Sequence, residues 1–476
     1  MEEEPFNEQQ LRAIDLALKG CSFYLYGNPG TGKTYTTHKI IEMLRKKYTF
    51  PGEVCVMAPT GRAALDIGGT TIHSWAKLGL MNEDREVLRL MASRAPAHWR
   101  TAKVLVIDEI SMLSCALLEK LEFIARNVRG SDHAFGGIQL VFAGDFSQLA
   151  PVCRDERIFA FEAECWGNCI RDYVELTEIY RQQDPHFLKI LREARIGQLS
   201  EESYQQLQER VLPPEADLPS RNGLLPTKLY CTNDKRDQEN LVQLDKIKSQ
   251  AQEYAAVKWS NKTADGAKRL EFLEKNLSTP LILALKVGAQ VMISANTHAP
   301  LVEDEHQRVK IVNGQRAVVV DLDADFVDVR LFNGDVVRLE FYEWCDARTV
   351  ITKFKNGEPD KITKEALASI KQIPLILAWA VTIHKAQGLT LDWMVADFGR
   401  AFAAGQAYVA ISRAVTLDGM FLRAFSKKDF RHSQKVVEFY KSIQSAEPAA
   451  RSVSYQQTKL FKRKSEFLTP ASKRHA

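Results

Sequence analysis

The sequence predicts an α/β fold built on parallel sheets, with additional antiparallel β structure in its second half. Three observations support this fold class. Within residues 22–44, an apolar run enters a glycine-rich loop that is followed by apolar residues at helical spacing. Further apolar, strand-like runs separated by helical patterns follow within residues 54–143, as in a doubly wound sheet. Residues 290–371 instead alternate apolar and polar positions around two Asn-Gly turns, which is typical of β-hairpins.

The glycine-rich loop is the first functional element along the chain. Gly27, Gly32, Lys33 and Thr34 occupy every fixed position of G-x-x-x-x-G-K-[ST]. In this motif backbone N–H groups surround phosphates, the lysine reaches the outer phosphates and the hydroxyl binds Mg²⁺. The loop therefore predicts a site for ATP and Mg²⁺. The nucleotide-binding residues predicted on this basis are Gly27, Asn28, Pro29, Gly30, Thr31, Gly32, Lys33 and Thr34.

Two carboxylates, Asp108 and Glu109, follow the apolar run KVLVI. Ligands of open α/β sheets bind at the carboxyl ends of the strands, so we expect this pair beside the phosphate loop. We assign Asp108, together with Thr34, to the metal ion. We assign Glu109 to orienting or deprotonating the attacking water. Such a pair alone would suggest only a strand that ends in a solvated loop.

Composition restricts the class of protein. The 476 residues are 45% hydrophobic and 26% charged, which is typical of globular chains with two to four domains. No apolar run approaches the ~18 residues of a membrane span. The acidic N-terminus is unlike a secretory or transit peptide, and the eight cysteines are scattered, so we expect a reducing compartment. A net charge of +4 is too small to indicate a nucleic-acid partner by itself.

The order of the motifs gives the chain a family resemblance. FNEQQ precedes the phosphate loop, and APTGRAALDIGGTTIHSW, VIDEISML, FGGIQLVFAGDFSQLAPV, ELTEIYRQQDPHFLKILREARIGQLS, TIHKAQGLTLD and AYVAISRA follow it. This series, within residues 6–424, resembles the petite-integration-frequency (Pif) family of superfamily 1B DNA helicases. Ala150 stands where that family commonly has proline.

The resemblance implies two RecA-like P-loop domains that hold ATP between them. Residues 1–175 would form the first, with a small wedge insertion at about 80–100 in which Trp99 or a neighbour separates base pairs. Residues 176–445 would form the second, with an SH3-like β-barrel insertion at about 285–371. Residues 446–476 have few apolar residues and a basic cluster, which predicts a disordered tail.

The resemblance also assigns further residues to the nucleotide site. Gln10 resembles the glutamine that reads adenine, although it could be a polar residue at a helix start. Gln148 resembles the residue that senses the γ-phosphate. Arg181 and Arg413 resemble the arginines that reach the transferred phosphate from the second domain; Arg181 could instead form a structural salt bridge.

Contacts to a DNA strand are expected in the motif loops. A translocating enzyme must tolerate any sequence, so hydroxyls, backbone donors and stacking rings are preferred over groups that read base edges. His73 has an ordinary packed histidine as its alternative, and Trp75 and Trp379 are interpreted as core residues. The predicted DNA-binding residues are Thr60, Gly61, Thr71, His73, Thr382, His384 and Gln387.

The tail contains a short candidate docking motif. Gln457, Leu460 and Phe461 fit Q-x-x-L-F, which resembles the peptide that bacterial and phage proteins use to bind a sliding clamp. A solvated tail and a basic arm that tethers DNA are the alternatives. The cluster KRK at 462–464 could also be a nuclear localisation signal.

Three functions are compatible with these motifs. The first is an ATP-dependent DNA helicase that moves 5′ to 3′ on single-stranded or forked DNA and acts in replication, repair or recombination. The second is a DNA-stimulated ATPase that remodels nucleoprotein without strand separation. The third, a nucleic-acid scaffold with an inactive nucleotide fold, is disfavoured because the catalytic positions are intact. We expect a monomer without a membrane partner, nucleoid-associated in the cytoplasm of a bacterium or phage host, or nuclear or mitochondrial in a eukaryote.

Overall fold

The computed structural model describes most of the chain. The described ranges are 6–77, 97–151, 156–213, 218–220, 223–304, 306–352, 361–398, 404–423 and 425–446. No helix within these ranges is both long and apolar enough to cross a membrane. The helices up to residue 208 are α1 (Glu8–Lys19), α2 (Lys33–Lys47), α3 (Gly61–Asp66), α4 (Ile72–Ala76), α5 (His98–Thr101), α6 (Cys115–Arg129), α7 (Trp166–Cys169), α8 (Pro185–Arg195) and α9 (Glu201–Gln208).

The first half contains a six-stranded, fully parallel sheet. Its strand order is β3-β2-β4-β5-β1-β6, so the carboxyl ends of β4, β5 and β1 are neighbours. Almost every residue of the four inner strands is buried, as expected when helices cover both faces of a sheet, whereas the two edge strands are partly exposed. The strands are β1 (Phe23–Gly27), β2 (Val54–Ala58), β3 (Thr70–Thr71), β4 (Val104–Ile107), β5 (Gln139–Gly144) and β6 (Asp172–Leu176).

Helices α1 and α2 pack on this sheet because their apolar faces match it. Ile40, Ile41 and Leu44 of α2 join Phe23 and Leu25 of β1 in one core cluster, as the helical spacing predicted. The first turn of α1 is closed by a capping box in which Asn7 and Gln10 exchange hydrogen bonds. The helix ends at Gly20 in the left-handed region.

A second, four-stranded parallel sheet lies in the second half. Its strand order is β20-β7-β21-β22. Its strands are β7 (Thr227–Tyr230), β20 (Ala380–Thr382), β21 (Met394–Asp397) and β22 (Met420–Arg423). The helices described in this half are α10 (Asn233–Lys246), α11 (Ala264–Asn276), α12 (Ile383–Ala386), α13 (Gln406–Ile411) and α14 (Gln434–Ala446). Helix α14 belongs to a separate compact unit that begins at Ser433.

Antiparallel strands fill the sequence between β7 and β20. A five-stranded sheet has the order β16-β15-β14-β11-β19, and a three-stranded sheet has the order β17-β18-β9. These strands begin before and end after the predicted limits of about 285–371. They are β8 (Gln252–Ala255), β9 (Val257–Ser260), β10 (Ile282–Leu285), β11 (Gln290–Ile293), β12 (Thr297–Pro300), β13 (Arg308–Ile311), β14 (Arg316–Leu322), β15 (Phe326–Leu331), β16 (Val336–Glu340), β17 (Tyr342–Thr352), β18 (Lys361–Gln372) and β19 (Leu375–Leu377).

The α/β fold class with parallel sheets is confirmed, whereas two predicted segments fall largely outside the described residues. These are the wedge, of which 97–100 are described, and the tail, of which 446 is described. Trp99 is among the described residues and is fully buried, with its indole N–H donating to the carbonyl of Ala76 at 3.1 Å. The hypothesis that Trp99 itself separates base pairs is therefore wrong, because its ring packs on Trp75 within the fold.

Candidate functional site

The phosphate loop joins β1 to α2 and keeps its lysine close to its own backbone. Lys33 Nζ donates to the carbonyls of Gly27 and Asn28, both at 2.9 Å. Burial lowers the pKa of Lys33 to about 8, although the nearby carboxylates of Asp145 and Glu109 oppose that shift. The ammonium group is thus held beside the loop, among the acidic groups that follow β4 and β5.

Arg181, from the segment that follows β6, lies directly against this loop. A Cβ atom placed on Gly30 would be 2.6 Å from Arg181 Cβ, so only glycine allows the approach. The neighbouring Tyr180 donates its backbone N–H to the carbonyl of Gly30 at 2.8 Å. The guanidinium donates to Thr390 Oγ1 and to the carbonyl of Ser412, both at 3.0 Å. It therefore connects the loop with the segment that carries Arg413.

Gln10 also lies beside the loop. Its Oε1 accepts the backbone N–H of Asn7 at 3.0 Å, and its Nε2 would be 3.1 Å from a Cβ atom on Gly32. The side chain therefore fills the helix-start role that was the alternative prediction and also lies next to the phosphate loop. The latter position is compatible with the predicted contact to a base.

Asp108 and Glu109 follow β4, beside the loop, as expected. Burial and the adjacent Glu109 together raise the pKa of Asp108 to about 7. Burial also raises the pKa of Glu109, while Lys33, Arg413 and a hydrogen bond from Gln387 oppose the rise. Glu109 has a φ of 51°, in the left-handed region that a non-glycine residue rarely adopts. Its carboxyl group is consequently held near cations from both halves of the chain.

The hydrogen bond from Gln387 joins the two predicted sites. Gln387 Nε2 donates to Glu109 Oε2 at 2.8 Å. Gln387 was predicted to contact DNA, and Glu109 was predicted to act on water. One amide therefore lies between the position expected for a DNA strand and the candidate catalytic carboxylate.

Gln148 follows β5 and is 6% exposed. Its backbone N–H donates to the carbonyl of Asp145 at 3.0 Å. A Cβ atom on Gly405, at the start of α13, would lie 2.6 Å from the carbonyl oxygen of Gln148. The backbone of the first half therefore touches the start of the helix that leads to Arg413.

Arg413 is 2% exposed and lies just beyond α13. Its guanidinium donates to the carbonyl of Val409 and to Ser412 Oγ, each at 2.8 Å. Burial lowers the pKa of Arg413 to about 10, and Glu109 is the largest influence that opposes this shift. The group stays charged near neutral pH and lies within electrostatic reach of Glu109.

Asp145 and Arg195 form an ion pair at the site that the sequence did not single out. Asp145 is fully buried, and its Oδ1 accepts from Arg195 Nη2 at 3.0 Å. Burial alone would raise the pKa of Asp145, but Arg195, Lys33 and the N–H of Ser147 together hold it below its usual range. Asp145 stood in the motif quoted for Gln148, but its partner is 50 residues away in sequence.

Replacing Arg195 by alanine should destabilise the protein by about 3–5 kcal/mol, because it removes a guanidinium from a buried carboxylate. Urea denaturation monitored by circular dichroism measures the change. The penalty should shrink as the pH falls, because without Arg195 burial raises the pKa of Asp145 and the carboxyl group becomes neutral. Lys189→Ala is the control. Lys189 lies on the same helix as Arg195 and forms an exposed ion pair with Glu202, so its replacement should change stability little. Equal losses for both variants would contradict this expectation.

A cavity of about 1470 Å³ brings several predicted residues together. Both proposed metal ligands, Thr34 and Asp108, line it. Their hydroxyl and carboxylate oxygens are the donors that Mg²⁺ prefers, so the residues present fit that ion. The other predicted residues along the cavity wall are Glu109, Thr60, Gly61, His384 and Gln387.

Three predicted DNA contacts do not line this cavity. The Thr71 and Thr382 hydroxyls accept backbone N–H groups at the starts of α4 and α12. Thr382 is 4% exposed, so its hydroxyl has a structural role in this conformation. His73 is half-buried on α4, and burial lowers its pKa. Their contacts to DNA stay predictions.

Gln182 is a further residue that sequence reasoning missed, although it belongs to the quoted motif ELTEIYRQQDPHFLKILREARIGQLS. It is 1% exposed and its Nε2 donates to the carbonyls of Ser412 and Ala414, at 3.2 and 2.7 Å. Its amide therefore fixes the backbone on both sides of Arg413. Only the folded chain shows this role, because the two segments are 230 residues apart.

Comparison with known proteins identifies the family. Residues 6–203 match the family described as PIF1-like helicase. An ATP-dependent DNA helicase PIF1 of Danio rerio is 35% identical over 92% of this chain and 64% of its own length. A crystal structure of the Pif1 helicase from Candida albicans superposes with a TM-score of 0.68 at 34% identity, covering 93% of this chain and all of that one.

The chain belongs to the PIF1-like helicase family. It spans just under two thirds of the length of the Danio rerio relative. Another family member, the Pif1 helicase from Bacteroides in complex with ADP-AlF3 and ssDNA, superposes with a TM-score of 0.57 at 27% identity, covering 94% of this chain and 99% of that one. Both superpositions cover at least 93% of this chain, so the structural similarity extends well beyond residues 6–203.

Proposed function

We propose that this protein is an ATP-dependent DNA helicase that moves 5′ to 3′ on single-stranded DNA and unwinds duplex DNA, in replication, repair or recombination. One observation carries the proposal. Arg181 and Arg413, which we assign to the predicted second domain, lie beside Lys33 and Glu109 of the predicted first domain, so hydrolysis requires both domains to be in place. Relatives named as ATP-dependent DNA helicases support the same activity.

Each group has a distinct role in the proposed hydrolysis. The phosphate loop and Lys33 bind the phosphates, while Thr34 and Asp108 hold Mg²⁺, which neutralises phosphate charge when bound. Glu109 orients the water and accepts its proton. The guanidiniums of Arg181 and Arg413 stabilise the charge that develops on the transferred phosphate. Gln148 reports the state of that phosphate to the second half through its backbone contact with Gly405.

Strand binding is coupled to this chemistry through Gln387. In our proposal, a DNA strand lies along the cavity that contains Thr60, Gly61, His384 and Gln387, and Gln387 touches both the strand and Glu109. The Bacteroides relative, whose structure contains ADP-AlF3 and ssDNA, supports nucleotide and strand binding by one fold. The further predicted contacts, from Thr71, His73 and Thr382, lie outside the residues that line this cavity.

The domain limits at 175 and 445, the wedge, the SH3-like barrel, the compartment and the monomeric state remain predictions. The antiparallel strands between β8 and β19 support an inserted β domain. Clamp binding through Gln457, Leu460 and Phe461 also remains a prediction, and this segment lies outside the described residues.

A forked duplex assay tests the proposed function. We expect ATP-dependent strand separation of a fluorescent fork with a 5′ single-stranded tail, and at least tenfold slower separation with only a 3′ tail. Unwinding from the 3′ tail alone would overturn the direction. Hydrolysis that single-stranded DNA stimulates, without any strand separation, would instead favour the nucleoprotein remodeller.

A further inference from the structure

Two aromatic rings of the second half face the same cavity as the predicted strand contacts. Tyr342 and Trp344 lie two residues apart on β17, so their side chains share one face of the sheet. Their ring centroids are 4.8 Å apart with an interplanar angle of 68°. Both residues line the cavity and both are half-buried. The two rings therefore meet edge to face on one wall of the cavity.

The rings differ from the aromatic residues of the core. Trp99 is fully buried and Trp379 is 6% exposed, whereas Tyr342 and Trp344 keep intermediate exposure. Trp344 pairs in register with Ile370, so its side chain lies on the same sheet face as the small apolar cluster of Leu273, Ala368 and Ile370, although neither ring belongs to that cluster. Strand β17 is also an edge strand in the order β17-β18-β9. The pair therefore lies at the border of this cluster, beside the cavity, rather than within the core.

The surroundings of the pair suit an unpaired nucleic acid strand. The first half and α12 supply the predicted strand contacts to the cavity, including Thr60 and Gln387. The lining of the cavity also contains neutral amide and hydroxyl groups, which hydrogen-bond to sugar, phosphate or base without requiring one sequence. These neutral groups are Asn276, Ser278, Ser294, Asn296 and Asn313.

We propose that Tyr342 and Trp344 form a stacking site for the bases of single-stranded DNA. The ligand is an unpaired nucleobase of any identity, because every base offers a flat face to an aromatic ring. This inference rests on the proposed function and adds residues of the β insertion to the strand-binding surface. In this proposal the β insertion contacts the bases, whereas the motif loops that carry the predicted strand contacts bind the sugar-phosphate backbone.

The test compares Trp344→Ala with the unchanged protein on two strands of equal length. Fluorescence anisotropy measures the dissociation constants for oligothymidylate and for an abasic strand with the same phosphates. We expect Trp344→Ala to weaken binding of oligothymidylate by about tenfold to a hundredfold, as stacking contacts do, and to leave binding of the abasic strand unchanged. Trp344→Phe should retain most of the affinity, because the flat ring is kept.

Trp259→Ala is the matched control. Trp259 lies on β9 of the same sheet, is 48% exposed and pairs in register with Ser369, on the face opposite to Trp344. It should bind both strands as the unchanged protein does. Tyr342→Ala provides a second variant if Trp344→Ala unfolds, which thermal melting reports.

Three results would overturn the inference. An equal loss of affinity for both strands would show that Trp344 acts on the backbone or on folding. Unchanged binding by Trp344→Ala and Tyr342→Ala, with normal binding by the parent, would dismiss the stacking site alone. Failure of the parent protein to bind any single strand would refute the proposed function and the stacking site together.

Discussion

Replacing Lys33 by alanine is expected to lower the kcat of ATP hydrolysis by about 10²- to 10³-fold, as removal of one preorganised donor does elsewhere. The ammonium group lies at the mouth of the phosphate loop, within 2.9 Å of two loop carbonyls. Because α2 begins at this residue, the positive charge and the helix N-terminus act on the same phosphates. A steady-state phosphate-release assay with and without single-stranded DNA measures the loss.

Lys46→Ala is the control for this prediction. Lys46 lies on the same helix, its side chain is 73% exposed, and it pairs with Glu42. Its replacement should leave kcat and the strand stimulation unchanged. Turnover by Lys33→Ala within about threefold of the parent would contradict the proposed nucleotide site, since every role assigned to its neighbours depends on phosphate at this loop.

Replacing Arg413 by alanine is expected to reduce kcat by about 10³-fold or more, while the affinity for ATP changes much less. The guanidinium is buried near Glu109, in a poorly solvated environment. Its electrostatic interaction with the phosphate is therefore stronger than it would be in water. Its effect should fall on the transition state because the arginine approaches from the half opposite to the phosphate loop. Binding of a fluorescent ATP analogue and phosphate release separate the two effects.

Arg413→Lys refines this expectation. Lysine keeps the charge but not the planar fork of donors that holds Val409 and Ser412, so we expect an intermediate loss. Arg157→Ala, whose side chain is 50% exposed beside Glu119, should behave as the parent. A large loss of ATP affinity by Arg413→Ala, with kcat retained, would show that this arginine binds the nucleotide rather than the transition state.

Much of the fold follows from local patterns in the sequence. The strand before the phosphate loop and the spacing of Ile40, Ile41 and Leu44 specify β1 and α2, because buried parallel strands and amphipathic helices have different periods. The strands β8 and β9 were missed because four-residue strands leave too short an alternation to detect. Both strands lie before the predicted start of the β insertion, at about residue 285.

The candidate site was predictable where a motif carries its own chemistry. Lys33, Asp108 and Glu109 come together because their strands, β1 and β4, lie on either side of β5 in one parallel sheet, so that their carboxyl ends meet at the same edge. The bond between Gln387 and Glu109, and the pair of Asp145 with Arg195, join segments that are far apart in sequence. Neither partner has a local signal for the other, so only the folded backbone defines these contacts. Tyr342 and Trp344 were likewise hidden within a strand pattern.

The hydrogen bond from Trp99 to the carbonyl of Ala76 holds together two residues that flank most of the predicted wedge in sequence. Arg129 of α6 adds to this closure by donating to the carbonyls of Trp99, Arg100 and Ala102. The number of residues between Ala76 and Trp99 can therefore change during evolution without displacing β4 or the carboxylates that follow it. Related helicases can therefore differ in the length of the segment at this position while they keep the same ATPase fold.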